Sequence, residues 1–447
     1  MRKISTLGVT KTVAIIIALV IGLVIGGIAG YLAVPAAPAG ATATVTKTEA
    51  TTVEKTIATT VTTVRAPAIA LAIEHFSVIA GTTWSGAHDR AAKRLTKLYP
   101  WLTYIKDEEV MPDKTIPAAR DMIAQGANIV VGNAEFMALP LKDIAGENPD
   151  VYFVGIIASD LSTERNFLRY FPRQYQAMYL EGLVAGALTK TNKIGVVSGP
   201  ICVQNIRRVA AFYLGIREVN PEAKVYLKYA GDWYLPDVES DLAKTLVDTY
   251  GVDVLTHYTD SVAPLSVAEE KGIWFVGKDM DIVGEYGWST TDTVAISFDT
   301  RWEVGYDKMI KEYLAGVQDP KRVWFIGMSE PMALPANNEI MPGQTLIPIV
   351  DLQNDKKIGI DAISPKARPL IADSVIERIR LRREQMMQGV WDPFMEYALV
   401  SGGTGLELPD LPIPPKGTVV KPAGVMPSDE FLLAELNFHL EGIEYIP

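Results

Sequence analysis

Residues 252–281 read VDVLTHYTDSVAPLSVAEEKGIWFVGKDMD, and the rest of the chain is organised around this stretch. Two short runs, 252–255 and 273–276, are apolar on both faces apart from Asp253. Strands of a parallel sheet that helices cover on both faces have this composition. Between the two runs, residues 266–271 are long enough for a short helical crossover and little else. The stretch therefore predicts a strand–helix–strand unit of an α/β protein.

Both predicted strands end abruptly in polar side chains. These are Thr256, His257, Thr259 and Asp260 after the first strand, and Lys278, Asp279 and Asp281 after the second. In open parallel sheets, ligands bind beyond the carboxyl ends of the strands, so the two polar ends predict the wall of a pocket. The alternative is that Asp260 and Asp279 only cap the helices that follow them, and the stretch alone does not separate the two interpretations.

The composition excludes several classes of protein. A chain of 447 residues is long enough for about two or three domains. The net charge of -11 argues against a nucleic-acid partner, which normally meets a basic surface. The single cysteine, Cys202, excludes a disulfide framework, and the four histidines show no spacing typical of a zinc site. We therefore expect neither a bound metal nor a cofactor.

The N-terminal sequence predicts attachment to a membrane. Residues 13–34 are uncharged and apolar over about the length of a transmembrane helix, and basic residues precede them. By the positive-inside rule, residues 1–12 form a cytoplasmic tail, 13–34 an uncleaved signal anchor, and the rest lies outside the cell. A cleaved signal peptide is the alternative, because small residues follow Val34. The Thr-rich residues 35–66 cannot bury a core, which predicts a disordered stalk.

Strand and helix patterns alternate in the remaining chain, in two successive series. The predicted strands are 76–80, 102–106, 128–131, 151–158 and 167–171 in the first series, and 193–198, 224–229, 252–256, 273–276 and 294–298 in the second. The predicted helices are 85–98, 115–125, an amphipathic helix at 173–188, then 204–218, 236–250, 301–315, 369–388 and 428–441.

Two such series predict two doubly wound lobes with a ligand cleft between them. We assign residues 67–172 and part of 295–447 to the N-terminal lobe. Residues 173–294 and part of 320–447 then form the C-terminal lobe.

The sequence has no motif typical of an enzyme. It contains no GxSxG, no phosphate-binding loop and no Rossmann glycine triplet opening a helix. The nearest match to a phosphate loop is GIWFVGKD at 272–279, which lacks the final hydroxyl and places a strand between its glycines. Asp279 and Asp281 would form an acid/base pair only if the strand continued through Met280. We therefore expect no catalytic residues.

Three tryptophans lie at predicted strand ends or helix starts. Trp84 opens the first helix, Trp233 follows the strand at 224–229, and Trp302 opens the helix after the last strand. Each alone is typical of a core or rim position. Together with Asp279 they indicate a stacking site for a flat ring, with the carboxylate accepting hydrogen bonds from sugar hydroxyls.

The body resembles the basic membrane protein (BMP) family of ABC-transporter solute-binding proteins, and is nearer its Med-like branch. The resemblance covers about 74–447, without the run around 325–365, and rests on these segments: WSGAHD (84–89), YQAMYLEGLVAGALTKTNKIG (175–195), GIREVNPEAKVYLKYAGDW (215–233), DVLTHYTDSVAPLSVAEEKG (253–272), VGKDMD (276–281) and KPAGVMPSDEFL (421–432). It implies a type I periplasmic-binding-protein fold, in which two Rossmann-like lobes joined by a hinge hold a purine nucleoside or related molecule.

The resemblance also implies roles for individual residues. Trp84 takes the place of the aromatic that stacks on the base, and Trp233 that of the second aromatic. Asp279 takes the place of the aspartate that holds the ribose, and Asn133 lies near the position that reads the base.

One position departs from the family's nucleoside lipoproteins. Ser297 matches a serine in the last strand, but Thr300 replaces a lysine that contacts the sugar. Arg301 or Trp302 is then expected to rebuild that wall of the site.

These observations predict a membrane-tethered extracellular receptor that captures a nucleoside-like solute and delivers it to ABC permease subunits. A sensor that signals through the membrane helix is an alternative, although residues 1–12 are too short for an output domain. A nucleoside hydrolase is a further alternative, but it would need a cluster of aspartates around Ca2+, and the aspartates here are dispersed.

Overall fold

The structure, a computed structural model, describes residues 68–156, 164–280, 282, 292–317, 323–328 and 363–447, and the backbone of 44–47, 59–62 and 346–347. The predicted tail and membrane anchor lie outside these residues. Within the described ranges, no helix combines the length and the apolar character that crossing a bilayer requires. The predicted stalk also lies outside them, except for strands β1 (Thr44–Lys47) and β2 (Thr59–Thr62), which pair antiparallel.

Most strands of the body belong to two parallel sheets. In chain order the strands are β3 (Ile69–Glu74), β4 (Leu102–Asp107), β5 (Ile129–Gly132), β6 (Tyr152–Gly155), β7 (Phe167–Pro172), β8 (Lys193–Ser198), β9 (Lys224–Tyr229), β10 (Val254–Tyr258), β11 (Trp274–Gly277), β12 (Val294–Ser297), β13 (Asp299–Thr300), β14 (Val323–Ile326), β15 (Leu346–Ile347), β16 (Leu399–Gly405), β17 (Val419–Lys421), β18 (Phe438–Leu440) and β19 (Ile443–Tyr445). The first sheet has the order β14-β7-β6-β5-β3-β4, and the second has the order β12-β11-β10-β8-β9-β19.

Helices connect these strands. In chain order they are α1 (Trp84–Leu98), α2 (Thr115–Ala124), α3 (Glu135–Ala145), α4 (Tyr175–Leu188), α5 (Val203–Val219), α6 (Pro236–Tyr250), α7 (Ala263–Lys271), α8 (Trp302–Leu314), α9 (Asp373–Met387) and α10 (Pro393–Glu396). Gly251 and Gly272 end α6 and α7 in the left-handed conformation, at φ 72° and 65°, and turn the chain into β10 and β11. The prediction of an α/β protein with two parallel-sheet lobes is confirmed.

Each sheet has its own apolar core. In the first lobe, Val130 and Phe153 of the strands pack with Met137 and Leu141 of α3. In the second lobe, the core includes Leu255, Phe275, Leu246 and Ala268. Because helices cover both faces of these sheets, strands such as β3 are buried along their whole length.

The chain crosses between the lobes at least twice in the described part. It leaves the first lobe after β7 and enters the second at α4, so residues 173 and 174 lie at the first crossing. It returns between β12 and α8, where β13 pairs antiparallel with β15. The first sheet is completed by β14 and the second by β19, both of which come from later in the chain.

The predicted first strand at 76–80 is wrong. The strand is β3, and the chain leaves the sheet after His75. The Phe76 amide donates to Asn133 Oδ1 at 3.0 Å instead of to a neighbouring strand. The apolar residues from 76 onward therefore belong to the loop between β3 and α1.

The helix predicted at 173–188 begins at Tyr175 and is not amphipathic. All its residues except Ala187 are buried, because α5, α9 and the edge of the second sheet surround it. A helix that neighbours cover on every side is apolar all round.

The helix predicted at 428–441 is also wrong. Only Phe431–Glu435 is helical, as a single π-helical turn, and strands β18 and β19 follow. Gly442, at φ 102°, makes the turn between these two strands, and β19 pairs with β9 at the edge of the second sheet.

Candidate functional site

A cleft of about 410 Å³, part of it open to solvent, lies where the carboxyl ends of the two sheets face each other. Its walls come from both lobes. The lining residues are Phe76, Trp84, Asn133, Ala134, Glu135 and Ile156 from the first lobe, and Gln204, Arg208, Trp233, Thr259, Asp260 and Lys278 from the second. The cleft thus lies beyond the strand ends, as expected for ligand sites in open parallel sheets.

Trp84 is held in a fixed orientation at the start of α1. Its indole Nε1 donates to the Asn133 main-chain oxygen at 2.7 Å. The Asn133 side chain is also occupied, since its Oδ1 accepts from the Phe76 amide and its Nδ2 donates to Ser85 at 3.3 Å. Asn133 therefore shapes the wall around Trp84 and has little remaining hydrogen-bonding capacity.

A second aromatic layer supports Trp84 from behind. Trp302 is fully buried and stacks on His88, with ring centroids 3.9 Å apart. It also meets Trp84 edge to face, at 5.1 Å between centroids. Burial holds the pKa of His88 well below its usual range, so the ring is neutral and packs as an aromatic. Trp302 thus contacts the pocket aromatic and does not line the cleft.

Asp260 joins the two lobes. Its carboxylate accepts from the Trp84 amide, from Thr83 Oγ1 at 3.2 Å and from Ser77 Oγ at 2.7 Å, all in the first lobe. Its main-chain oxygen accepts from the Thr83 amide at 3.0 Å. Asp260 therefore does cap a helix, as the capping interpretation expected. The helix is α1 of the other lobe and not the one that follows Asp260 in the chain. Burial raises the pKa of this carboxyl to about 6.

Asp279 lies one layer behind the cleft surface. Its Oδ1 accepts from Gln174 Nε2 at 2.6 Å and from Thr300 Oγ1 at 2.5 Å. Its Oδ2 accepts from Lys278 Nζ at 3.0 Å, and it is Lys278 that lines the cleft. The residue is fully buried and has a φ of 52°, a left-handed conformation uncommon outside glycine. Such backbone strain is typical of positions that the surrounding structure holds tightly.

The remaining predicted site residues do not line the cleft. Ser297 is buried on β12 and accepts from the Ile282 amide at 3.4 Å. Arg301 is buried and pairs with Glu303. The structure thus brings Trp84, Asn133, Trp233 and Asp260 together around one cavity, and places Asp279, Ser297 and Trp302 behind it.

Sequence reasoning missed Arg208, one of the two cations of the cleft, and named the other, Lys278, only as part of the polar end of the second strand. Arg208 projects from α5 and is only 1% exposed. Its guanidinium carbon lies 5.4 Å from the Trp84 ring centroid and 6.0 Å from that of Trp233. The ammonium of Lys278 lies 5.9 Å from the Trp84 ring. The signal in the sequence was the pair of arginines within the otherwise apolar run IRRVAAFYLGI at 206–216.

Gln174, at the crossing between the lobes, connects Arg208 to Asp279. Its side-chain oxygen accepts from Arg208, while its nitrogen donates to Asp279. The same nitrogen donates to Thr300 Oγ1 at 2.8 Å. One buried carboxylate thus interacts with Lys278 directly and with Arg208 through an amide.

Within the described ranges, no group of three or more histidine, cysteine or acidic residues is arranged to hold a metal ion. The cleft has aromatic faces, hydrogen-bond donors and a carboxylate, Asp260, whose hydrogen bonds link the two lobes. This combination defines a two-lobed solute-binding protein.

Residues 69–332 match the family model of Bmp, the PnrA-like ABC transporter substrate-binding proteins, and the chain belongs to this family. The resemblance seen in the sequence is thereby confirmed.

Two curated relatives and one solved structure illustrate the similarity. A Haloferax volcanii protein, whose name proposes glucose binding in an ABC transporter, is 31% identical over 48% of this chain and 54% of its own length. The purine-binding protein of Brucella abortus is 28% identical over 58% of this chain and 72% of its own length. An ABC-transporter solute-binding protein of Conexibacter woesei shares the fold, with a TM-score of 0.52 and 21% identity, over 73% of this chain and 98% of that one. The chain thus spans about half the length of the Haloferax protein.

Proposed function

We propose that the protein is an extracellular receptor that captures a purine nucleoside or a related flat heterocycle and delivers it to an ABC permease. The observation that carries the proposal is the pairing of Trp84 from one lobe with Trp233 from the other in the wall of one cleft. A flat ring in this cleft contacts an indole of each lobe. The membrane helix predicted at 13–34 would keep the body near the permease.

Capture requires closure of the lobes and no covalent chemistry. Asp260 and Lys278, both in the second lobe, form hydrogen bonds to Thr83 in the first. A solute that contacts both lobes has a higher affinity for the closed arrangement and shifts the equilibrium toward it. We therefore propose binding without turnover.

The names of the two relatives assign different solutes, a purine and glucose. The cleft itself favours the heterocycle, because indoles from both lobes flank it. The carboxylates of Asp260 and Asp279, which would hold sugar hydroxyls, already accept hydrogen bonds from protein donors.

The predicted site residues then have distinct proposed roles. Trp84 and Trp233 contact the ring directly. Asn133 and Asp260 fix Trp84 and the lobe interface. Asp279 acts through Lys278, and Ser297 and Trp302 support the wall.

A thermal-shift screen of the chain against nucleosides, bases and sugars tests this function. We expect a purine compound to raise the midpoint of unfolding, and the rise to grow with concentration over its dissociation constant. Trp84→Ala and Trp233→Ala should each abolish most of the shift. Trp101→Ala is the matched control, because this indole stacks on Tyr99 away from the cleft.

Two results would contradict the proposal. One is a shift that sugars alone produce and that both cleft variants retain. The other is conversion of inosine to free base by the wild-type chain, which would make the cleft an active site.

A further inference from the structure

One buried cation of the cleft has no ion-pair partner among the residues that the structure describes. Arg208 is almost fully buried, and within the described residues no carboxylate lies at ion-pair distance from it. Its two terminal nitrogens donate to neutral amide oxygens, those of Gln174 and, at 3.1 Å, of Asn205. Among the residues that the structure describes, Asp279 is the carboxylate connected to Arg208, through Gln174, and Asp279 already pairs with Lys278. A buried charge with no partner is costly, which suggests that a partner arrives from outside.

Two donors of the cleft, Arg208 and Lys278, have hydrogen-bonding capacity that the described residues do not use. Arg208 Nε is buried and has no acceptor in the described part of the chain. Arginine carries five N–H groups, so the bonds to Gln174 and Asn205 leave part of the donor capacity of Arg208 unused. Lys278 has three N–H groups, of which Thr83 Oγ1 at 3.2 Å and Asp279 take two.

The acceptors around the cleft are mostly occupied. Asp260 accepts from Ser77, Thr83 and Trp84, as described above. The Asn133 side-chain oxygen accepts from the Phe76 amide. Glu135 is the remaining carboxylate of the lining, and it is exposed at the start of α3. A solute that presents acceptors therefore fits the cleft better than one that presents hydroxyl donors.

From this geometry we infer that the solute is a planar heterocycle with a negative charge, such as an ionised oxopurine, which places an anionic edge against the Arg208 guanidinium and Lys278 Nζ. The inference rests on the proposed function and specifies its ligand. The indoles of Trp84 and Trp233 supply the stacking faces, and the two cations supply the charge that selects the ionised ring. A neutral nucleoside would leave the Arg208 charge unpaired in the closed cleft.

Calorimetric titration of the full chain with two related purines tests the inference. Urate is an anion at neutral pH, whereas hypoxanthine has a similar ring system and is neutral. We expect urate to bind at least tenfold more tightly than hypoxanthine. Arg208→Met should weaken urate binding by tenfold or more and change hypoxanthine binding less than threefold. Arg207→Met is the matched control, since Arg207 is equally buried on the same helix and donates to the Leu432 main-chain oxygen, outside the cleft.

A measurement on the wild-type chain keeps the inference testable if Arg208→Met does not fold. Xanthine loses a proton near neutral pH, so its affinity should rise as pH increases from 6 to 9. Asp260, Lys278 and Glu135 line the same cleft, and Asp279 lies behind Lys278. Hypoxanthine, which stays neutral over most of this range, reports any effect of pH on these protein groups. The affinity for xanthine should rise at least fivefold relative to that for hypoxanthine.

The outcomes separate this inference from the proposed function. The inference of an anionic ligand would be wrong if urate and hypoxanthine bound with equal affinity and the ratio of xanthine to hypoxanthine affinity did not change with pH. The protein would then be a receptor for neutral heterocycles. Binding of sugars with no binding of any purine would overturn the proposed function itself.

Discussion

At the scale of single residues, Glu74 shows how the first lobe tolerates a buried acid. It ends β3, is fully buried, and within the described residues neither carboxylate oxygen has a hydrogen-bond partner. Its register partner on β4 is Asp107. Burial, with a smaller contribution from Asp107, raises the pKa of Glu74 to about 9, so the folded protein holds it protonated at neutral pH.

We expect Glu74→Gln to stabilise the fold at neutral and alkaline pH. In the unfolded chain the carboxyl has an ordinary pKa near 4.5, so folding takes up a proton between about pH 4.5 and about pH 9. The contribution of this carboxyl to the free energy of unfolding of the wild type is therefore fully present below pH 4.5 and is lost as pH rises toward 9. The gain from glutamine should be below about 1 kcal/mol at pH 5 and on the order of 3 kcal/mol at pH 7.

Thermal unfolding of wild type and Glu74→Gln between pH 5 and pH 9 measures this difference. Glu430→Gln, at an exposed position, is the control and should follow the wild type at every pH. A variant that loses stability uniformly across the range would show that Glu74 is ionised and bound to a partner.

Several site residues could be predicted from the sequence, and others could not. Trp84, Trp233 and Asp260 were found because strand ends and helix starts are visible in the hydrophobic pattern, and Asn133 was found through the family resemblance. Arg208 was missed because it lies inside a helix, where a charged residue normally faces solvent. Which face of α5 is buried depends on the second lobe as a whole, and local sequence does not contain that information.

At the scale of elements, the pair α4 and α5 positions the cleft. These helices approach so closely that a Cβ at Gly182 would lie 2.1 Å from the Phe212 main-chain oxygen, and one at Gly215 would lie 2.0 Å from that of Tyr179. The crossing residue Gln174 precedes α4, and Arg208 projects from α5. The glycines therefore set the distance across which Gln174 and Arg208 meet. The sequence analysis predicted an amphipathic α4 because the local sequence of a helix does not show how many of its sides other elements will cover.

We expect Gly182→Ala to lower the free energy of unfolding by about 2–3 kcal/mol, because the backbones must separate to admit a methyl group. The same separation should weaken solute binding through Arg208. Thermal unfolding and calorimetry measure the two effects. Gly146→Ala is the matched control, since its Cβ would meet only the flexible end of Glu164, at 3.2 Å. Equal stability of the two variants would show that α4 and α5 separate freely.

At the scale of the whole molecule, alternation of strands and helices predicted two parallel-sheet lobes, and the arrangement of those lobes is what the sequence could not supply. Lobe closure depends on contacts between residues far apart in the chain, such as Asp260 with Ser77 and Thr83. A polar strand end is visible in the sequence, but its partner in the other lobe is not. For that reason the sequence located Asp260, but its capping alternative considered only the helix that follows Asp260 and not α1 of the other lobe.

Closure should depend on pH through Asp260. In the closed arrangement burial raises its pKa to about 6, whereas a carboxyl exposed by open lobes has an ordinary value near 3.8. Closing therefore takes up a proton between these values, so acidity favours the closed form, and this contribution is lost as pH rises through about 6. Small-angle X-ray scattering of the solute-free chain should give a smaller radius of gyration at pH 5 than at pH 7.5. The Asp260→Asn variant has no proton to take up at this position, so its radius of gyration should vary less over this range. If the variant shows the same pH response as the wild type, another group causes the effect.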